Sequence, residues 1–257
     1  MVKQEGANVK LDYWERVASG DIDDYSPVLK FGRNATVPNG TWAFINQLGF
    51  TAWPLTAATK VRIKSGGNAA DTYNGAGARS VFVNGIDSLG NEVTEEIATA
   101  GASASALTTA LFWTIHRAYI GNVGARGVAN TAAIVIENGT GGTNLISITA
   151  DEGQSQFGGY TIPAGYKGIL NSIVITVDGL KPADVRCFVR GNITTSAAPY
   201  PPKRLKLFYD GILGVFMYKP KSPILVVEAL NSVWFEARGS GAITEVSVDF
   251  EMQLVRI

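Results

Sequence analysis

The chain has one cysteine, one histidine and few charges, and no apolar run approaches the length of a membrane helix. Each shortage removes a class of function. With Cys187 alone, no intrachain disulfide can form. With one Cys and one His, the chain lacks the donors of a zinc site. A cysteine nucleophile wants a histidine beside it. Cys187 instead lies in a β run, between Val185 and Val189, and is expected in a core. Charged residues make up 17% of the chain. That is below the usual share of about a quarter, and it suits a protein that buries much of its surface against partners. The 22 basic and 22 acidic residues cancel. Nucleic acid as a partner calls for a basic excess, and so does an anionic membrane surface. A spanning helix needs roughly 18 apolar residues in a row. The polar start, Met1 to Arg16, has no apolar h-region, so synthesis in the cytoplasm without standard export is expected.

What the chain does have is β texture. Residues 1–55 are punctuated by turn formers such as Pro27, Asn39-Gly40 and Pro54, yet carry Trp14, Phe31, Trp42, Phe50 and Trp53. Disordered segments are poor in aromatics. The segment therefore reads as an irregular arm that lies on something, either this chain's own core or a neighbouring subunit. From Val61 onward, short apolar-alternating runs recur between Gly, Asn and Pro turns. Asn84-Gly85 and Gly90-Asn91 read as turns after the run Ser80 to Val83. Asn138-Gly139 suits a type I′ hairpin turn. Ala102 to Leu111 fits a helical turn or a loop. The polar stretch Asp151 to Gly159 reads as a boundary. The last run is clearest, with Val246, Val248, Phe250, Met252 and Leu254 alternating with polar residues, as in a sandwich strand with one face in water. The expected fold is all-β, with an arm over 1–55 and antiparallel β-sandwich or jelly-roll modules over 56–150 and 151–257.

The candidate chemistry is thin. Gly75-Ala76-Gly77-Ala78-Arg79 resembles a phosphate loop in composition, but it has no Lys and runs into a strand rather than a helix. Its glycines are better suited to a tight approach to that strand. Asp21, Asp23 and Asp24, like Asp87, Asn91 and Glu92, lie close together without calcium-loop spacing. His116 sits inside a strand pattern, and no G-x-S-x-G elbow accompanies it. No catalytic residue, metal or cofactor is expected. Trp14, Phe31, Trp42 and Trp53 are the best interface candidates, because exposed aromatics fill partner pockets. Arg79 joins them as a structural or interface residue.

Several segments resemble a pattern found in virion structural proteins of tailed bacteriophages. They include Lys30-Phe31-Gly32-Arg33-Asn34, Ala69-Ala70-Asp71-Thr72, the run from Gly75 to Val81, and Asn84-Gly85-Ile86-Asp87. Thr114-Ile115-His116-Arg117, the stretch QSQFGGYTIPAG from Gln154 to Gly165, and Val246 to Val255 complete it. The resemblance implies a non-enzymatic protein of the virion, of the capsid-decoration or tail-associated type. It implies a symmetric homo-oligomer, such as a trimer, with major capsid or tail proteins as partners. A carbohydrate- or receptor-binding module of a tail fibre is the second expectation, and a surface-polysaccharide hydrolase the third. The hydrolase would need paired carboxylates in a cleft.

Overall fold

The computed structural model describes residues 13–50, 53 and 55–257. Among them the chain forms one short helix, α1 (Tyr13–Ser19), and sixteen strands. The first eight strands are β1 (Tyr25–Val37), β2 (Ala43–Phe44), β3 (Val61–Ile63), β4 (Ala78–Asp87), β5 (Glu92–Ala98), β6 (Phe112–Val123), β7 (Ile134–Asn138) and β8 (Asn144–Ile148). The rest are β9 (Gly159–Thr161), β10 (Tyr166–Val177), β11 (Ala183–Arg190), β12 (Lys203–Ile212), β13 (Gly214–Tyr218), β14 (Leu225–Val227), β15 (Ser232–Gly239) and β16 (Thr244–Arg256). All paired strands run antiparallel, so the all-β antiparallel expectation holds.

Two five-stranded sheets make a sandwich. The front sheet has the order β1-β16-β10-β13, with β14 also on β10, and the back sheet has β12-β11-β15-β2, with β9 also on β15. Their inner faces share one core, which includes Leu170, Ile173, Val185, Cys187, Phe235 and Phe250. Alternation places those residues. On β16, Val246, Val248 and Phe250 are buried, while Ser247, Asp249 and Glu251 face outward. Burial of Cys187 raises its thiol pKa, so it is an inert core group.

The segment between β2 and β9 is an insertion. Its two three-stranded sheets, β3-β7-β8 and β5-β4-β6, build a second core with Val81, Ile115, Ile136 and Ile146. That core also contains Phe44, Phe157, Phe188 and Trp234 from the sandwich strands and their approaches. The insertion therefore packs on the outer face of the back sheet.

The structure differs from the sequence reading at several points. Much of the arm is regular, because Tyr25–Val37 forms a 13-residue edge strand beside β16. Pro27 is tolerated there because an edge strand need not donate on its outer side. Gly32 explains the missing side chain in KFGRN. A Cβ at Gly32 would lie 2.2 Å from the Gly158 nitrogen and 2.4 Å from the Ile45 oxygen. Asn84-Gly85 is no turn but the middle of β4, at a register shift against β6. A Cβ at Gly85 would sit 2.0 Å from the Thr114 oxygen, so close backbone approach selects glycine there. The chain reverses later, where Gly90 has φ +89°. The β7–β8 loop spans five residues, too long for a two-residue turn. Its positive φ angles fall on Gly141 and Gly142 rather than on Asn138-Gly139.

Candidate interaction surfaces

The outer face of the front sheet carries exposed apolar side chains on β1 and β13, on either side of a polar stripe along β16. One register row crosses four strands, Phe31 to Asp249 to Val174 to Met217. A second row holds Leu29, Glu251 and Ser172, and a third ends on Val215 of β13. Leu29, Val215 and Met217 are 66%, 69% and 66% exposed, and Phe31 is 37% exposed. Val226 on β14 extends the patch. Large apolar side chains gathered in the open on one face mark interaction sites. Asp249 lies at its centre, and burial raises its carboxyl pKa. No side-chain hydrogen bond or ion pair reaches that carboxylate among the described residues. Its neighbour Glu251 accepts from Ser172 Oγ at 2.7 Å. The helix α1 covers only the far end of this face, where Gln253 donates to Tyr13 Oη at 3.0 Å.

From β12 the chain crosses to β13 in the other sheet, and Tyr209 on β12 packs against Phe216 and Tyr218 on β13. Each of these strands pairs on one edge only. β12 exposes Leu205 and Phe208 beside Lys203, Arg204 and Lys206. From Arg186 to Tyr209 the chain has five cations and no carboxylate.

A third feature is a groove of about 610 Å³ at the seam between the back sheet and the insertion. Trp42, Trp53 and Trp234 line its floor, with Arg190, Lys203 and Glu236 among its polar groups. The Arg186 guanidinium lies 3.9 Å from the Trp42 ring centre, and Arg238 lies 4.8 Å from it. Burial pushes the Glu236 carboxyl up, but bonds from Trp234 Nε1 at 3.0 Å and Arg186 at 2.6 Å outweigh it and hold it low. Glu236 is the sole carboxylate lining the groove among the described residues. Phe50 and Tyr200 stand exposed along its walls.

A buried polar cluster ties the insertion to β1. His116 is 1% exposed, with Nε2 placed 3.2 Å from Glu92 Oε1. Lys30 Nζ donates to the His116 carbonyl. Burial lowers the Lys30 pKa to about 7, Arg117 pushes the same way, and Glu92 opposes. Burial also lowers His116, against the hydrogen bond to Glu92. Burial pushes Glu92 up, and bonds with His116, Asn84 and Tyr160 leave it below its ordinary value. These groups hold a seam together. Lys30 and Glu92 carried no sequence signal for that role, because their meeting depends on strands 62 positions apart.

The expected interface residues scatter. Phe31 lies on the open front face. Trp42 and Trp53 meet at the groove, although Trp53 also packs edge-on against Phe44, Phe157 and Trp234. The backbone of Trp14 belongs to α1, and its side chain lies outside what the structure describes. Arg79 is remote from both surfaces. Its Nε donates to the Gly75 carbonyl at 2.9 Å and closes the glycine loop. Asp71 organises that loop by accepting from the nitrogens of Ala78, Thr131 and Ala132. Asp87 likewise serves its own turn, accepting from Leu89 and Asn91. Among the described residues no grouping of acidic, His and Cys side chains could hold a metal ion. Nor is any helix long and apolar enough to cross a membrane.

No protein-family model and no curated protein matches the chain. Among solved structures, similarity extends to infectious bursal disease virus. For the Gt strain, the match covers 91% of this chain and 73% of the other at 10% identity and TM-score 0.25. For the VP2 subviral particle, the same coverage comes with 8% identity and TM-score 0.25. For the Gx strain, 90% and 70% are covered at 12% identity and TM-score 0.27. Likeness at this level carries no argument about how this chain works.

Proposed function

We propose that this protein is a non-enzymatic structural component of a tailed-phage virion, acting by homo-oligomeric assembly. The observation that carries the reading is the set of exposed apolar side chains, Leu29, Phe31, Val215 and Met217, on the outer face of the front sheet. A folded chain with low charge and an uncovered sheet face gains by burying that face against another protein. The sequence resemblance to virion proteins supplies the setting, on the capsid surface or the tail, with major capsid or tail proteins as further partners. A trimer is the expected count. The two-module division near 151 belongs to the proposal, with β1 and β2 assigned to the second module as an N-terminal part of its sandwich. Size-exclusion chromatography with light scattering tests it. The expected mass is an integer multiple of 27.3 kDa. A stable monomer that binds no phage particle would overturn it.

A second reading, a saccharide-binding module, is favoured by one feature. Phe50 and Tyr200 are 54% and 47% exposed beside Arg190 and Lys203 in the groove, and exposed rings stack on sugars. A glycan array on the wild type and on Tyr200→Ala decides it. Binding that Tyr200→Ala abolishes supports it, and an array without hits removes it.

A further inference from the structure

We infer that copies of this chain join head to tail, the outer face of one front sheet receiving the β12 edge of the next copy. The inference rests on the assembly reading and adds which surfaces meet. The receiving face is apolar with acidic centres. Asp249 stands between Phe31 and Val174, and Glu251, which Lys219 approaches to 4.0 Å, lies one row away. Asp249 is exposed, and no ion pair reaches its carboxylate among the described residues. An unpaired carboxylate on an assembling surface is matched by a cation from the partner, which favours and orients the encounter.

The β12 edge offers the complement. Lys203, Leu205 and Phe208 share the outer face of β12, while Arg204 pairs with Val189 on the other face and Lys206 falls at the bulge between Leu205 and Phe208. Lys203 already reaches Glu236 at 3.3 Å. No carboxylate among the described residues pairs with Arg204 or Lys206. The cations and apolar groups along this edge strand therefore match an acid and apolar groups on the other copy.

The two surfaces cannot meet within one chain. β12 is the outermost strand of the back sheet, whereas Asp249 faces outward from the middle of the front sheet. A match between two different surfaces of the same molecule is heterologous, so it builds a ring or an open array rather than an isologous pair. It also differs from face-to-face pairing of two front sheets, which would set Asp249 against the acids of an identical face.

Charge reversal on the full-length protein tests this by sedimentation velocity. Asp249→Lys is expected to weaken assembly about a hundredfold, and Asp249→Asn about tenfold, as for a close interfacial charge pair. Arg204→Glu with Lys206→Glu should weaken it as strongly as Asp249→Lys. The chain carrying all three reversals should assemble again, within about tenfold of the wild type. Near-ultraviolet circular dichroism checks that each variant is folded, and Asp249→Asn serves if Asp249→Lys is not. A wild type that assembles while the Arg204→Glu, Lys206→Glu variant assembles equally well overturns the head-to-tail inference alone. Absence of rescue in the triple variant does the same. A monomeric wild type overturns the assembly reading beneath it.

Discussion

The back sheet turns Phe188 and Trp234 outward and the insertion covers them, whereas the front sheet turns Phe31, Val215 and Met217 outward and they stay exposed. Both faces are built by the same alternation on antiparallel strands. Phe188 stacks on Trp234 at 5.7 Å within a closed core. Met217 shares a row with Phe31 across four strands and keeps 66% of its surface in solvent. An apolar outer face is thus a request for a cover. One face is covered inside the chain, and the other stays open among the described residues.

Substitutions at the two faces should act on different quantities. Trp234→Ala on the covered face should cost about 3–5 kcal/mol of folding stability, as large aromatic deletions in cores do. Urea unfolding measures it, and a loss near zero would mean that the insertion does not close that face. On the open face, Phe31→Glu with Met217→Glu should change folding stability by about 0.5 kcal/mol or less. The same pair should weaken self-association by at least about tenfold, or about 1.4 kcal/mol. Unchanged association would remove the contrast between the faces.

The cover itself should respond to pH through the seam at β1. Lys30 has a folded pKa of about 7 against 10.5 in the unfolded chain. Between those values the unfolded chain binds more protons, so stability rises with pH from 7 toward 10.5. Glu92 of β5, His116 and Arg117 of β6, and Tyr160 of β9 face this ammonium or border it. Burial raises the Cys187 thiol, ordinarily at 9.0, and Tyr160; both lose stability on the alkaline side of their ordinary ranges, and Cys187 limits the useful window to about pH 7–8. Within that window the slope should be about 1 kcal/mol per pH unit. Lys30→Met should flatten it, and an equal slope in that variant would contradict the assignment. The smallest effect belongs to the exposed bridge of Arg33 to Glu245, 2.6 Å apart, and to Glu152. Arg33→Ala should cost about 0.5 kcal/mol in a denaturant titration, as surface ion pairs do.

The comparison also separates what a sequence discloses from what it hides. β16 is plain in the sequence because its inner residues are apolar and its outer ones polar. β13 is not, because Val215 and Met217 outside are as apolar as Phe216 inside, so Gly214–Tyr218 reads as a buried run. The open face is therefore invisible until the register of β10 and β13 is known. Phe31 was legible as an exposed aromatic, but its partner strand lies more than 200 residues away and the pairing left no local mark. Gly32 and Gly85 look like flexible or turn glycines. Their requirement comes from the backbone of Gly158 and of Thr114, which only the folded chain brings near.

Methionine footprinting reads the central claim directly, because the two described methionines sit on opposite sides of the comparison. Met217 is 66% exposed on the open face, and Met252 is 2% exposed in the core. Assembled protein treated with hydrogen peroxide should oxidise Met217 at least about tenfold more slowly than does a Phe31→Glu variant diluted until sedimentation shows only monomer. Met252 should stay slow in both. Equal oxidation of Met217 in the assembled and monomeric proteins would contradict the claim that the front sheet is where partners bind.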